Sequence, residues 1–282
     1  MLRGLATLAY ALQEAGVSLN RFGRLYVDRD PERADPSGLE KRWASGESVP
    51  TRASIERLEG RLPGIELMVI YSHPLFDVLL DRPQSNGQER TIRHKMYSSP
   101  ERTKDLSHDL ERAHEGQDRI VPRAIWDLGQ SQVLKLFTVT LQSVRKLETL
   151  EKPGEHLFAC QYVYDCFPYA ASVSFLYPHR RLLAHCVDRV HRRSPISYQH
   201  CKIDWPLLFE RTTTIRQLRA SGAGPEHIRA YHESQALSAW SWTAFARHAA
   251  HTPDDVSPES LIEERWWSAG AMERAAQSAK PA

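Results

Sequence analysis

The side chains able to do chemistry in this 282-residue chain fall into two groups: histidines beside cysteine or aspartate, and clusters of Lys and Arg. In the first group, the stretch SHDLERAHE contains His108-Asp109 and Glu111-x-x-His114. A His-Asp dyad can hold a divalent ion that activates water, and Glu-x-x-His places two ligands on one helix face. Either chemistry needs a second half, a further His and Asp or a second Glu-x-x-His with two more glutamates. The chain offers no convincing one. His185-Cys186 and His200-Cys201 bring adjacent donors, which splay apart on a helix, whereas structural zinc sites use close pairs such as Cys-x-x-Cys. Packing histidines and reduced, buried thiols at Cys160, Cys166, Cys186 and Cys201 are the expectation. Phosphate loops, dinucleotide fingerprints, HExxH and nucleophile elbows are absent. No catalytic residue, metal or cofactor is assigned.

The second group is cationic. From Pro178 to Arg219 nine Lys/Arg stand against three Asp/Glu, a net +6, with four histidines added; from Thr252 onward the balance is −3. Arg181, Arg189, Arg192 and Arg193 can lie on the side of a helix away from Leu183, Val187 and Val190. With Arg180, Arg211, Arg216 and Arg219 they form an electrostatic footprint that suits nucleic acid, an acidic partner or plain solvation. Near the N-terminus, Lys41 and Arg42 flank Trp43 in a short charged segment that runs to Gly46 and Pro50.

These residues need elements to position them. Apolar residues recur at helical spacing nearly everywhere and β-branched alternation is almost absent, so the chain reads as all-α. Leu5, Leu8, Leu12 and Ala15 form one stripe closed by Gly16. A second short helix follows Ser18, with Leu19, Phe22, Leu25 and Tyr26 expected inward. Thr51 caps a helix whose inner face is Ile55, Leu58 and Leu62. PLFDVLL closes this part, and DRPQSNGQER is the best boundary candidate. The expected organisation is a module over 1–80, a connector over 81–98 and a helical domain over 99–282. Within the last, helices are expected from Ser99 to Glu115, from Pro122 to Leu150 with a stop at Pro153-Gly154, through HLFACQYVYDCFPYAASVSFLY, which is apolar on every side, and over 179–193, 205–220, 225–250 and 258–277. Every apolar run is interrupted before reaching the length of a membrane span. The N-terminus lacks a basic leader with a small-residue cleavage site. The expected location is cytoplasmic, with no membrane partner.

The order of short helix, charged helix with Trp43, Gly46, Pro50 and further helix resembles the Cro/C1 (lambda-repressor-like, XRE) helix-turn-helix family over the first 64 residues. Ser18 to Tyr26 takes the place of the second helix. The turn to the third helix is lengthened by DRDPERADPS, and the apolar residue before the tryptophan is Leu39, four positions earlier rather than three. The resemblance implies that Trp43 pins the recognition helix, that Gly46 ends it in a left-handed turn, and that its outer face enters a major groove.

It further implies double-stranded DNA as partner. Ser37, Lys41 and Arg42 would meet base edges and nearby phosphates, and Arg21, Arg24 and Arg52 the backbone. Arg181, Arg189, Arg192 and Arg193 form a possible second basic surface. Residues 1–64 carry ten Lys/Arg and nine Asp/Glu, a nearly neutral balance. Three readings are compatible with these residues. The first is a DNA-binding transcriptional regulator. The second is a helical interaction protein whose helix-turn-helix fold no longer binds DNA, and the lesser third is a metal-dependent helical hydrolase built on His108 and Asp109. Trp240/Trp242 and Trp266-Trp267, paired so that one of each can face outward, suggest a homodimer or protein interface on the C-terminal helices.

Overall fold

The computed structural model describes residues 1–27, 38–80, 87, 90, 125, 129–149, 153–194, 203–239 and 258–262. Every regular element among them is helical, and the fold is all-α. Two compact units are present, and they do not follow chain order. The first holds Met1–His73, Val173–Leu183 and the described residues after 257; the second holds Pro74–Ser172 and the chain from Ala184 onward to 239.

In the first unit, α1 (Leu2–Ala15) buries Leu5, Leu8 and Leu12, and stops where Gly16 adopts φ 62° and donates its N–H to Leu12 and Gln13 carbonyls. This is the left-handed stop that glycine makes without steric cost. Ser18 caps α2 (Leu19–Phe22), which passes directly into a π turn over Gly23–Val27. A π turn adds a residue per turn and so rotates the side chains beyond it. Leu25, expected inward, is consequently 40% exposed, while the Tyr26 ring stays 5.2 Å from Phe22. After α3 (Leu39–Ser45), Thr51 accepts from Ser54 N–H at 3.2 Å to cap α4 (Arg52–Glu59), and α5 (Leu67–Tyr71) packs on both α1 and α4. Residues 173–183 belong to the same core. Tyr10 meets Phe175 edge-on at 5.8 Å, Gln13 Nε2 donates to the Ser174 carbonyl at 2.9 Å, and His179 is wholly buried.

The second unit begins with α6 (Leu75–Val78), which packs on α7 (Gln130–Thr149). The α7 helix starts later than the expected Pro122, although Ile125 is fully buried. Pro153, read from sequence as a stop, opens α8 (Pro153–Ala171), where its missing N–H costs nothing. α8 continues through Pro168 and ends at Ala171, within the apolar stretch. α9 (Arg180–Arg192), which belongs to the first unit up to Leu183 and to the second from Ala184, comes after a 3-10 turn at Tyr177–His179 in the first unit. Asp204 caps α10 (Trp205–Ala220) by accepting from Leu207 N–H at 3.0 Å, and α11 (Pro225–Ala239) packs on α10. The core of this unit is aromatic, with Phe137, Phe167, Trp205 and Phe209 in mutual ring contact. Of the C-terminal helix expected over 258–277 only 258–262 are described, and there Pro258–Leu261 form a 3-10 turn. The connector apart from residues 87 and 90, the Ser99–Glu115 helix and the tryptophan pairs at 240/242 and 266/267 lie outside the described residues. None of the described helices is long and apolar enough to cross a membrane.

Candidate functional site

The corner around α3 is built from its buried residues outward. Trp43 is 5% exposed and Ala44 fully buried, so one side of this two-turn helix is fixed to the first unit's core. Gly46 ends α3 with φ 78° and its N–H on the Trp43 carbonyl, and a Cβ there would run into Ile262 Cδ1 at 2.5 Å. Pro50 is buried against Gly4, whose hydrogen side leaves 2.7 Å to Pro50 Cδ for a methyl that is not there. Glycine at 4 therefore sets how closely α1 approaches the corner.

α2 and its π turn cross α3 at Gly23 and Glu40, where a Cβ on Gly23 would lie 2.6 Å from the Glu40 carboxyl carbon. Glu40 is buried at 6% exposure, with Oε2 sealed from solvent and lacking a hydrogen-bond partner among the described residues. Lys41, next to it on α3, and Arg24, next to Gly23, are exposed, as is Arg21. The crossing thus carries a carboxylate inside and cations outside. The carboxylate is a residue the sequence reading missed. Nothing in the charged segment from Leu39 to Ser45 singles out Glu40, and the glycine opposite makes room for it.

The other expected DNA residues separate. Ser37 lies outside the described residues. Arg42 is half-buried and engaged within the protein. Arg52 is exposed, and its Nε donates to Glu56 Oε1 at 2.8 Å. Its charge is already answered by the next turn of α4.

The second basic surface separates likewise. Arg181 and Arg189 are exposed on α9. Arg192, expected to face outward, is tied to buried Asp188 at 2.7 Å, and Arg193 reaches Glu148 on α7 at 2.5 Å. Glu148 also holds Arg145, whose side chain is 1% exposed, at 3.0 Å. Arg193 ties the end of α9 to α7, whereas the Arg192–Asp188 and Arg145–Glu148 pairs are each made within one helix; a charge count cannot see the Glu148 carboxylate that packing brings to Arg193. Arg211, Arg216 and Arg219, part of the same basic stretch, turn toward α8: Arg216 Nη1 donates to the Ser172 carbonyl at 3.4 Å and Arg219 Nη1 to Ser172 Oγ at 2.9 Å.

His156, His191, Cys160 and Cys166 are buried packing groups. His191 Nδ1 lies 2.6 Å from Tyr164 Oη, and Cys160 Sγ lies 3.6 Å from His156 Nδ1. Burial pushes His156 down to about 4, so its imidazole is neutral, and Cys160 is 2% exposed. A buried thiol beside a neutral imidazole lacks the electropositive, accessible surroundings that activate cysteine. His185 is buried, and among the described residues Cys160, Cys166 and Cys186 form no disulfide. Among the described residues no group of three or more His, Cys, Asp or Glu is placed to hold a metal. His108, Asp109 and the His200-Cys201 pair lie outside them.

No family model matches the chain, nor does any curated protein or solved structure.

Proposed function

We propose that the chain is a DNA-binding protein that uses the α2–α3 corner as a helix-turn-helix, with transcriptional regulation as the consequence. The observation that carries this reading is the outward set of Arg21, Arg24 and Lys41 around a crossing whose inner side is locked by Trp43, Gly46 and Pro50. A helix held rigidly on one face presents the other to a duplex without ordering cost. Cations on both crossing elements suit phosphates on either side of a groove. Lys41 takes the groove-facing role, and Arg21 and Arg24 the backbone. Arg42 and Arg52 contribute little, because the protein itself already occupies them.

Fluorescence anisotropy of the full chain with a labelled random duplex pool tests this. Duplex binding that weakens steeply as salt rises is expected; absence of binding at about physiological ionic strength overturns it.

A second reading has its own support. Residues 1–64 are nearly charge-balanced and Glu40 sits inside the crossing, which is poor for attracting a polyanion. On that reading the corner is a protein-docking fold, and the same anisotropy experiment gives no signal.

A further inference from the structure

Helix α11 is docked in the second unit by little apolar surface. Among its described side chains over 225–234, Ile228 alone is buried, while Tyr231 and His232 are half-buried. A short turn over 221–224, with Gly222 at φ 71°, folds the helix back onto α10. One turn beyond Ile228, His232 reaches across to α8, where its Nδ1 lies 2.9 Å from Tyr169 Oη. A helix with one buried apolar anchor sits at the low end of local stability, where a single charge can decide whether it stays docked. All of these residues belong to one compact unit.

The surroundings of His232 admit a neutral imidazole and oppose a charged one. Burial, and then the Arg211 cation on α10, hold it below its ordinary value, while Glu233 on its own helix pulls the other way. The Glu233 carboxylate is exposed and already takes Arg229 Nε at 2.8 Å. On α8, burial raises both the Tyr169 phenol and the Cys166 thiol, so neither carries charge. Burial also pushes Asp165 on α8 up to about 8, against the opposing pull of Arg211, so this carboxyl is already protonated where a histidine titrates. Arg219 on α10 lies over the Tyr169 ring at 6.0 Å and adds a second cation. An imidazolium at 232 would therefore be met by cations on α10 and by neutral groups on α8.

The sign follows from linkage. Freed from these surroundings, His232 takes up a proton near its ordinary 6.5; docked, it resists that proton to lower pH. Docking is thus complete above about pH 6.5 and weakens as pH falls through the docked value. We propose that α11 is an acid-released cover, lifted from α10 and from the Tyr169 edge of α8 when His232 is protonated. This does not rest on the DNA reading and survives its failure.

Hydrogen–deuterium exchange of the full chain, read on peptides within 225–239 and corrected for the intrinsic effect of pH, tests this between about pH 7.5 and 5. In wild type the protection of α11 should fall about three- to thirtyfold across that window, beyond any change in α7, which is the range one linked proton allows. His232→Gln keeps a hydrogen-bonding group for Tyr169 and cannot titrate, so its fall should vanish. His227→Gln, exposed on the same helix, should keep most of the wild-type fall. Arg211→Gln removes the facing cation and should shrink the fall, whereas Glu233→Gln removes the carboxylate that supports the imidazolium and should deepen it. These last two variants carry the test if His232→Gln undocks α11 at neutral pH. Unchanged protection in wild type, a fall of wild-type size in His232→Gln, or equal falls in Arg211→Gln and Glu233→Gln overturns the assignment.

Discussion

Replacing Trp43 by alanine removes the pin of the corner. The side chain is 5% exposed, and an indole of this kind covers about 150–250 Å². At about 25 cal/mol per Å² the transfer contribution alone is about 4–6 kcal/mol, an upper figure because the unfolded chain already hides part of that area. Measured losses for truncating a core aromatic run at about 3–5 kcal/mol, and the short α3 has little else to hold it. Urea unfolding followed by far-ultraviolet circular dichroism should therefore lose an early transition belonging to the first unit, while the second unit's transition keeps its midpoint. Trp43→Phe, which keeps an aromatic in place, should cost less than half as much. A Trp43→Ala protein whose first transition falls by less than about 1 kcal/mol would refute the reasoning, since no buried tryptophan can be removed so cheaply.

Three further outcomes are expected from other parts of the chain. Gly4→Ala forces a methyl to within 2.7 Å of the rigid Pro50 ring, so urea unfolding should show a loss of about 1–3 kcal/mol in the first unit, although alanine is the better helix former. Glu148→Gln removes the charge between Arg145 and Arg193 and should cost the second unit about 3 kcal/mol by the same measurement, much of it from leaving the Arg145 cation buried without its carboxylate. Burial holds His179 at about 3, against 6.5 when unfolded, so the unfolded state takes up a proton that the folded state refuses. Stability from this group is complete above pH 6.5 and declines toward pH 3, with a slope of up to about 1.4 kcal/mol per pH unit. Thermal melts of a His179→Gln variant should show a flatter decline over that window.

Local rules made much of the corner legible. Gly16 and Gly46 both take the left-handed conformation that ends a helix, Thr51 caps α4, Ile55 and Leu58 are its buried face, and Leu62 is buried just past its end. Each depends on residues within a turn or two, which a sequence displays. Leu25 escaped because a π turn changes the period mid-element, and nothing in GRLYV announces it. The arginines escaped for a different reason. Arg192, Arg193, Arg211 and Arg219 look alike in a charge count, yet the structure ties two to carboxylates and turns two toward α8. Arg192 meets Asp188 one turn away, but the partners of Arg193 and Arg219, Glu148 and Ser172, are decided by packing between helices far apart in the chain. The return of residues 173–183 to the first unit depends on Phe175 and His179 packing there, a long-range association that spacing does not encode.

The measurement that bears most directly on the DNA reading compares wild type with a triple variant, Arg21→Ala, Arg24→Ala and Lys41→Ala, against a duplex pool at several salt concentrations between about 50 and 200 mM. All three residues are exposed, so the fold should be kept, and circular dichroism checks that it is. A cation that sits on a phosphate displaces counterions, and its removal ends that release. The log–log slope of affinity against salt should therefore shrink by about one unit for each phosphate no longer neutralised, up to about three in all. Wild-type binding with that reduction in the variant is the predicted result. Equal affinity and equal slope in both proteins, or no duplex binding by wild type at the lowest salt, contradicts it.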